Sequence, residues 1–309
     1  MPGLFLRTML RGAVALCCFV VLGTGCRTLR CYTKESDETI ALTRQLALQG
    51  KDAQQKGQWD KAEAYFAEAV QKSPADERAR LGYAESLWQR GDQERAVVHM
   101  QEAVKLSGSD PDRLVQLGQM YLAQHNLPAA MRQADKAIAA NKHLAGAWAL
   151  RASVLRDNGQ REEALAAYHR ALSFQPHYPD VQLAVAEIYG QSERPQRALA
   201  TLQALSDQFP PGSVPPDLMV RQGLVLRQLG RTHDAEDCLT AAAQASPNPD
   251  VFRELAATRL QLGDMASATS ALTAALQLNP QDPRSLALQQ ELASRQQNLT
   301  ASLGGAMNR

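Results

Sequence analysis

The stretch Ala145-Gly-Ala-Trp-Ala-Leu-Arg-Ala-Ser-Val-Leu-Arg-Asp-Asn-Gly159-Gln-Arg-Glu-Glu-Ala164-Leu-Ala-Ala-Tyr168-His-Arg-Ala171-Leu-Ser-Phe-Gln-Pro176 decides the fold. Two runs rich in helix-favouring Ala, Leu, Arg and Glu flank Gly159. Glycine takes the left-handed conformation that ends a helix, and a proline such as Pro176 stops the second one. Small residues at Ala152, Ala164 and Ala171 alternate with the large Trp148, Leu155 and Tyr168. The spacing predicts two helices joined by a tight turn, with methyl groups where the helices approach and large side chains filling the space between.

Working outward, the same pattern recurs. Ala62, Ala96, Ala130, Ala164, Ala198, Ala235 and Ala268 are separated by 34, 34, 34, 34, 37 and 33 residues. Seven residues behind them, Ala69, Ala103, Ala137, Ala171, Leu205, Ala242 and Ala275 keep identical spacing. Gly57, Gly91, Gly159, Gly230 and Gly263 each precede the first series by five, and Pro74, Pro176, Pro210, Pro247 and Pro280 close five of the seven units. A fixed period of this length is the signature of a repeat architecture, in which no unit buries its apolar face alone.

Composition agrees. The 309 residues include 50 Ala and 41 Leu but only 3 Ile, and aromatics make up 5%. Strands favour β-branched and aromatic residues, so a sandwich, barrel or parallel-sheet enzyme is excluded. With 33 Lys+Arg against 32 Asp+Glu, the net charge of +1 excludes a nucleic-acid binder driven by bulk charge.

The third unit (Leu114, Leu117-Gly118, Tyr121, Ala130, Ala137) and the fourth (Trp148, Ala152, Leu155, Gly159, Ala164, Tyr168, Ala171, Pro176) resemble the tetratricopeptide repeat, a 34-residue helix–turn–helix. The resemblance implies an all-α fold, a right-handed superhelical solenoid of antiparallel helix pairs. Its units fall at 43–76, 77–110, 111–144, 145–178, 179–212, 216–248 and 249–282. Residues 283–297, with Leu286, Leu288 and Leu292 on one side, are expected to cap the last open face, and 298–309 to form a flexible tail. The first unit departs from the pattern, with Gln49 and Ala53 where large apolar residues are usual. The prolines of Phe209–Pro216 account for the 37-residue spacing and predict a local bend.

In such solenoids the first helices line a concave groove. By repeat position, that groove would hold Glu85, Trp88, Gln119, Leu122, Ser153, Arg156, Glu187, Leu224 and Arg227. Trp88 is its one large aromatic, equally readable as an anchor for a partner or as packing against the next helix, and Arg156 and Arg227 are placed to hold carboxylates of a partner. The Lys and Asn of the carboxylate clamp found in chaperone-binding members are missing: Ala47, Lys51, Leu81 and Glu85 stand in those places.

At the N-terminus, Arg7 and Arg11 precede the apolar run 13–22, and Gly23-Thr-Gly-Cys26 follows. These are the three parts of an export signal over residues 1–25. Fifteen residues separate Arg11 from Arg27, against the roughly 20 needed to cross a bilayer as a helix. The end of the run resembles the bacterial lipobox, which implies lipidation at Cys26, although Leu22 lies four residues before the cysteine and Gly23 occupies the usual leucine position. Ordinary cleavage and an uncleaved anchor are the alternatives. Residues 26–42 read as a tether, and membrane association would run through the lipid or anchor.

No catalytic or phosphate-binding motif stands out, and the six histidines are dispersed over the repeats. Cys31 and Cys238 are 207 positions apart, open to pairing in an oxidising compartment, with Cys238 otherwise a small apolar helix residue. The expectation is a non-enzymatic scaffold or adaptor in the cell envelope, without cofactor or metal, binding a protein or peptide partner. The alternatives are a self-associating structural component, hence a homo-oligomer, and a regulatory adaptor for an envelope enzyme.

Overall fold

The computed structural model of the chain describes residues 37–210 and 212–307, with side chains through residue 297. Residues 1–36, and with them the export signal, Cys26 and Cys31, lie outside the described residues. Every regular element among the described residues is an α-helix. The described residues divide into two compact units, one ending at residue 158 and the other beginning at residue 159.

The first unit contains α1 (residues 37–55), α2 (Trp59–Lys72), α3 (Glu77–Gln89), α4 (Gln93–Leu106), α5 (Pro111–Ala123), α6 (Leu127–Ala140) and α7 (Ala145–Asp157). The second contains α8 (Arg161–Phe174), α9 (Pro179–Gln191), α10 (Pro195–Ser206), α11 (Pro216–Gln228), α12 (Thr232–Ala245), α13 (Pro249–Gln261), α14 (Met265–Leu278) and α15 (Pro283–Met307). Within each unit, consecutive helices pack as hairpins; alternate helices also touch, α5 against α7 and α11 against α13.

Two boundaries differ from expectation. α1 is already helical at residue 37, the first described residue, so residues 37–42 of the segment read as a tether are helix. Its first turns are anchored, because Thr43 is buried and donates from Oγ1 to the Thr39 carbonyl at 2.8 Å. At the other end, α15 does not stop at 297; its backbone stays helical to Met307, through the segment read as a tail. No proline interrupts that segment, so nothing in its covalent geometry ends the helix.

The small-residue series explains the packing. All seven alanines of the first series, Ala62 to Ala268, are 0% exposed, and in the second series only Leu205 differs, at 2%. Helices can approach to about 8 Å only where side chains at the crossing are this small. Glycine takes the principle further around Phe66, whose buried ring lies between α1 and α3. A Cβ on Gly50 would stand 2.7 Å from that ring, and one on Gly82 would stand 2.2 Å from it. Tyr168 and Leu155 are buried as expected. Tyr121 and Trp148 are only half-buried, because each keeps a polar tip engaged: Gln101 donates to the Tyr121 hydroxyl, and the Trp148 indole N–H donates to the Lys142 carbonyl at 2.9 Å.

α15 covers the last hairpin as anticipated. Leu292 is buried in a cluster with Leu255, Leu260 and Leu272, and Leu288 packs beside them. Asp282 begins this helix. It accepts the Ser285 hydroxyl at 2.5 Å and the Ser285 N–H at 3.0 Å, and the same carboxylate takes Arg253 Nη1 at 3.3 Å. The serine hydroxyl first, with the backbone N–H groups and Arg253, lowers its pKa to about 2.

The turn inside each hairpin is left-handed. Gly57, Gly91, Gly159, Gly230 and Gly263 have φ between 68° and 88°, and the two units lacking glycine place His125 (φ 57°) and Glu193 (φ 54°) there. A side chain in that region costs about 1–2 kcal/mol. Glu193→Gly should therefore stabilise the second unit by several tenths of a kcal/mol to about 1 kcal/mol, once glycine's greater freedom in the unfolded chain is subtracted. Urea titration followed by circular dichroism measures this, and a lower midpoint would show that the Glu193 side chain stabilises the turn.

Candidate functional site

The nine groove positions divide between the units, six in the first and three in the second. In the first unit, α3 and α5 run as neighbouring first helices of successive hairpins with α4 between them in sequence. Glu85 and Trp88, three apart and so on one face of α3, meet Gln119 of α5 around a pocket of about 250 Å³. Gln116, Met120 and Ala123 of α5 and Met100 of α4 complete its wall. Sequence position missed these four. Met100 comes from a second helix, and Met120 is buried, so neither belongs to a solvent-facing stripe; Gln116, a polar residue one turn before Met120, was the available signal.

Trp88 both packs in the core and lines the pocket. Its ring is half-buried and packs on both the cluster around Leu87 and Phe66 and the one around Leu114 and Leu117. Glu85 is half-buried too. Burial pushes its carboxyl up, opposed by a hydrogen bond from Gln54 and by the charges of Arg113 and Lys51. The Gln54 amide is shared at best, since its Nε2 also lies 3.2 Å from both the Gly82 carbonyl and Ser86 Oγ.

The remaining positions are not part of this pocket. Leu122 is half-buried and packs against Ala130, Ala134, Leu150 and Val154. Ser153 is half-buried on α7. Arg156 is engaged by its neighbour Asp157, with Nη2 2.9 Å from Oδ1. In the second unit Glu187 is exposed, where its Oε1 lies 3.4 Å from Gln191 Nε2, and Leu224 is half-buried. Arg227 is engaged within the fold. Its Nη2 donates to Glu254 Oε2 at 2.7 Å, and its Nη1 donates to the Glu254 carbonyl at 3.2 Å and Thr258 Oγ1 at 3.3 Å. The reason is the repeat itself: one unit on, α13 places a glutamate within reach of the α11 arginine.

A half-buried histidine stands outside the expected set. His99 of α4 packs on Tyr83 with ring centroids 4.4 Å apart, and its Nδ1 has no hydrogen-bond partner. Burial, together with Arg80 and Arg95, lowers its pKa and keeps the ring neutral at pH 7. Cys238 is half-buried and its thiol is pushed up by burial and by Asp237 and Asp234, against the needs of a nucleophile. Among the described residues, no group of three or more His, Cys, Asp or Glu side chains is placed to hold a metal ion.

A family model described as tetratricopeptide repeat matches residues 48–111 and 220–283, and a second of the same description matches 155–213, together more than half of the chain. No curated protein matches significantly. Among solved structures, a tetratricopeptide repeat protein from Parabacteroides merdae is similar over 82% of this chain and 99% of its own, at 13% identity and a TM-score of 0.61. PilF of Pseudomonas aeruginosa matches 70% of this chain and 97% of its own, at 18% identity and a TM-score of 0.58. PilW, described as a type IV pilus biogenesis factor, matches 63% and 89%, at 22% identity and a TM-score of 0.54. At these identities the likeness shows the fold: all-α, a solenoid of paired helices.

Arg227→Ala should lower the stability of the second unit by about 1–3 kcal/mol, because it strips a partly buried carboxylate of its charged donor. Chemical denaturation checks this. An unchanged midpoint would mean that solvent replaces the guanidinium at no cost.

Proposed function

Because this chain belongs to the tetratricopeptide repeat family, we propose that it is a non-enzymatic scaffold that holds a partner peptide or helix in the groove formed by its first helices. The family fold implies protein or peptide partners. The observation that carries the reading is the meeting of Glu85, Trp88 and Gln119, chosen by repeat position alone, around one pocket on α3 and α5. A half-buried tryptophan flanked by polar side chains is the composition of an interaction hot spot.

The scaffold works at the membrane surface of the cell envelope, exported by residues 1–25 and anchored through a lipid on Cys26. A single acyl chain binds a membrane weakly and two anchor it stably, so the lipid has to be more than one chain. Among the described residues, no helix is long and apolar enough to cross a membrane. Cys26→Ser is expected to move the protein from the membrane fraction to the soluble one; retention in the membrane fraction would assign anchoring to another segment.

Self-association is the second reading. It is favoured by α1, where Ile40 is 53% exposed and Leu48 is 63% exposed, two turns apart on one face. Crosslinking in the native envelope separates the two. A heterologous product that falls at least tenfold in Trp88→Ala, with helicity retained, supports the groove. A product containing only this chain, indifferent to Trp88→Ala, supports assembly through α1.

A further inference from the structure

The half-buried glutamates of the described residues are paired with cations one after another. Glu63 is held by Arg90, Glu77 by Arg113 at 3.2 Å, Glu102 by Lys105 at 2.6 Å, Glu236 by Arg259 at 2.8 Å and Glu254 by Arg227 at 2.7 Å. Glu85 alone among them forms no ion pair within the described residues, although it is the one that lines the pocket. Two cations lie close enough to influence it. Arg113 of α5 is committed to Glu77 and to Gln116 Oε1, the latter at 3.1 Å. Lys51 of α1 is exposed and makes no ion pair with it. The same burial that raises the Glu85 pKa makes an unmatched charge there costly, and a cation entering from outside would remove that cost.

The rest of the wall suits a cation carried on an aliphatic stem. Trp88 lines the pocket, and a tryptophan is the strongest of the aromatic partners for ammonium or guanidinium. Met100 and Met120 supply flexible apolar surface of the kind that accommodates the methylenes of a long basic side chain. Gln119 adds an amide that can accept a hydrogen bond, while the Gln116 oxygen already accepts one from Arg113. The pocket, at about 250 Å³, falls below the ~300–1,000 Å³ of sites that enclose whole small molecules, so its guest is the size of a side chain.

We propose that this pocket receives a lysine or arginine side chain of a partner polypeptide, with Glu85 as its counter-ion and Trp88 as its aromatic wall. The proposal rests on the groove reading above and adds the chemistry of the partner. It also accounts for the missing carboxylate clamp. Where a chaperone-binding groove presents basic groups to an acidic peptide, this one presents Glu85 to a basic one.

The test is selection of a displayed library of random 12-residue peptides on the full chain in detergent, followed by titration calorimetry of the recovered sequences. Selected peptides are expected to carry Lys or Arg beside apolar residues. Replacing that residue by norleucine should weaken binding at least tenfold, and Glu85→Gln should weaken the basic peptide by a similar factor while leaving the norleucine peptide unaffected. Basic peptides indifferent to Glu85→Gln, or a selection without basic residues, would overturn the proposal. If those uncharged peptides are nevertheless lost in Trp88→Ala, the groove stands and only its charge preference falls. Binders indifferent to Trp88→Ala, or no binders at all, would remove the groove reading as well.

Discussion

The structure depends on a side chain no larger than a methyl group at one position per hairpin. Ala62, Ala96, Ala130, Ala164, Ala198, Ala235 and Ala268 sit where the second helix of each repeat crosses its neighbours, and none has accessible surface. A methyl there sets the interaxial distance; a larger group would force the helices apart and open gaps around the residues between them. The second series does the same at the next crossing. Its exception is instructive: Leu205 stands in the repeat whose second helix, Pro195–Ser206, is two residues shorter than most, followed by the proline-rich Phe209–Pro216. The larger side chain thus occurs where regular stacking gives way to an irregular connection.

Close crossing leaves little room for polar groups, and the repeats place them at the junctions. Arg113 reaches back to Glu77 in the preceding repeat, and Arg227 reaches forward to Glu254 in the following one. Arg253 gathers Asp250, Glu254 and Asp282 where the final helix docks. These partly buried pairs fix neighbour to neighbour, so stability in each unit is local and additive in the manner of a stack. A substitution at one junction is felt at that junction, which leaves groove residues two hairpins away free to vary.

How much of this was legible follows from what a period encodes. Alanine, glycine and proline act through backbone geometry, so their spacing alone located the crossings, the left-handed turns and the helix stops. His125 and Glu193 were not legible as turn residues, because only the register of their neighbours shows that they occupy the glycine position. The groove was half legible. Repeat position brought Glu85, Trp88 and Gln119 together, since direction from a helix axis is periodic. It said nothing of the Arg227–Glu254 pair, since a long side chain is claimed by whatever lies one unit away, a partner the period does not specify. It failed for Met100, contributed from a second helix.

That difference bears on how such a scaffold acquires specificity. Positions of the crossing series are fixed by sterics, and junction charges by their opposite numbers in the next repeat. Only side chains on the inner helices whose repeat-neighbours do not claim them are free to meet a partner. In residues 37–158, Glu85 satisfies that condition: half-buried, lining a pocket with Trp88, and left without the cation that the other half-buried glutamates there possess. A net charge near zero then ceases to be a mere balance. With the other half-buried glutamates of the described residues neutralised internally, the unmatched Glu85 would give a partner's charge something to read, which a uniformly charged surface would not.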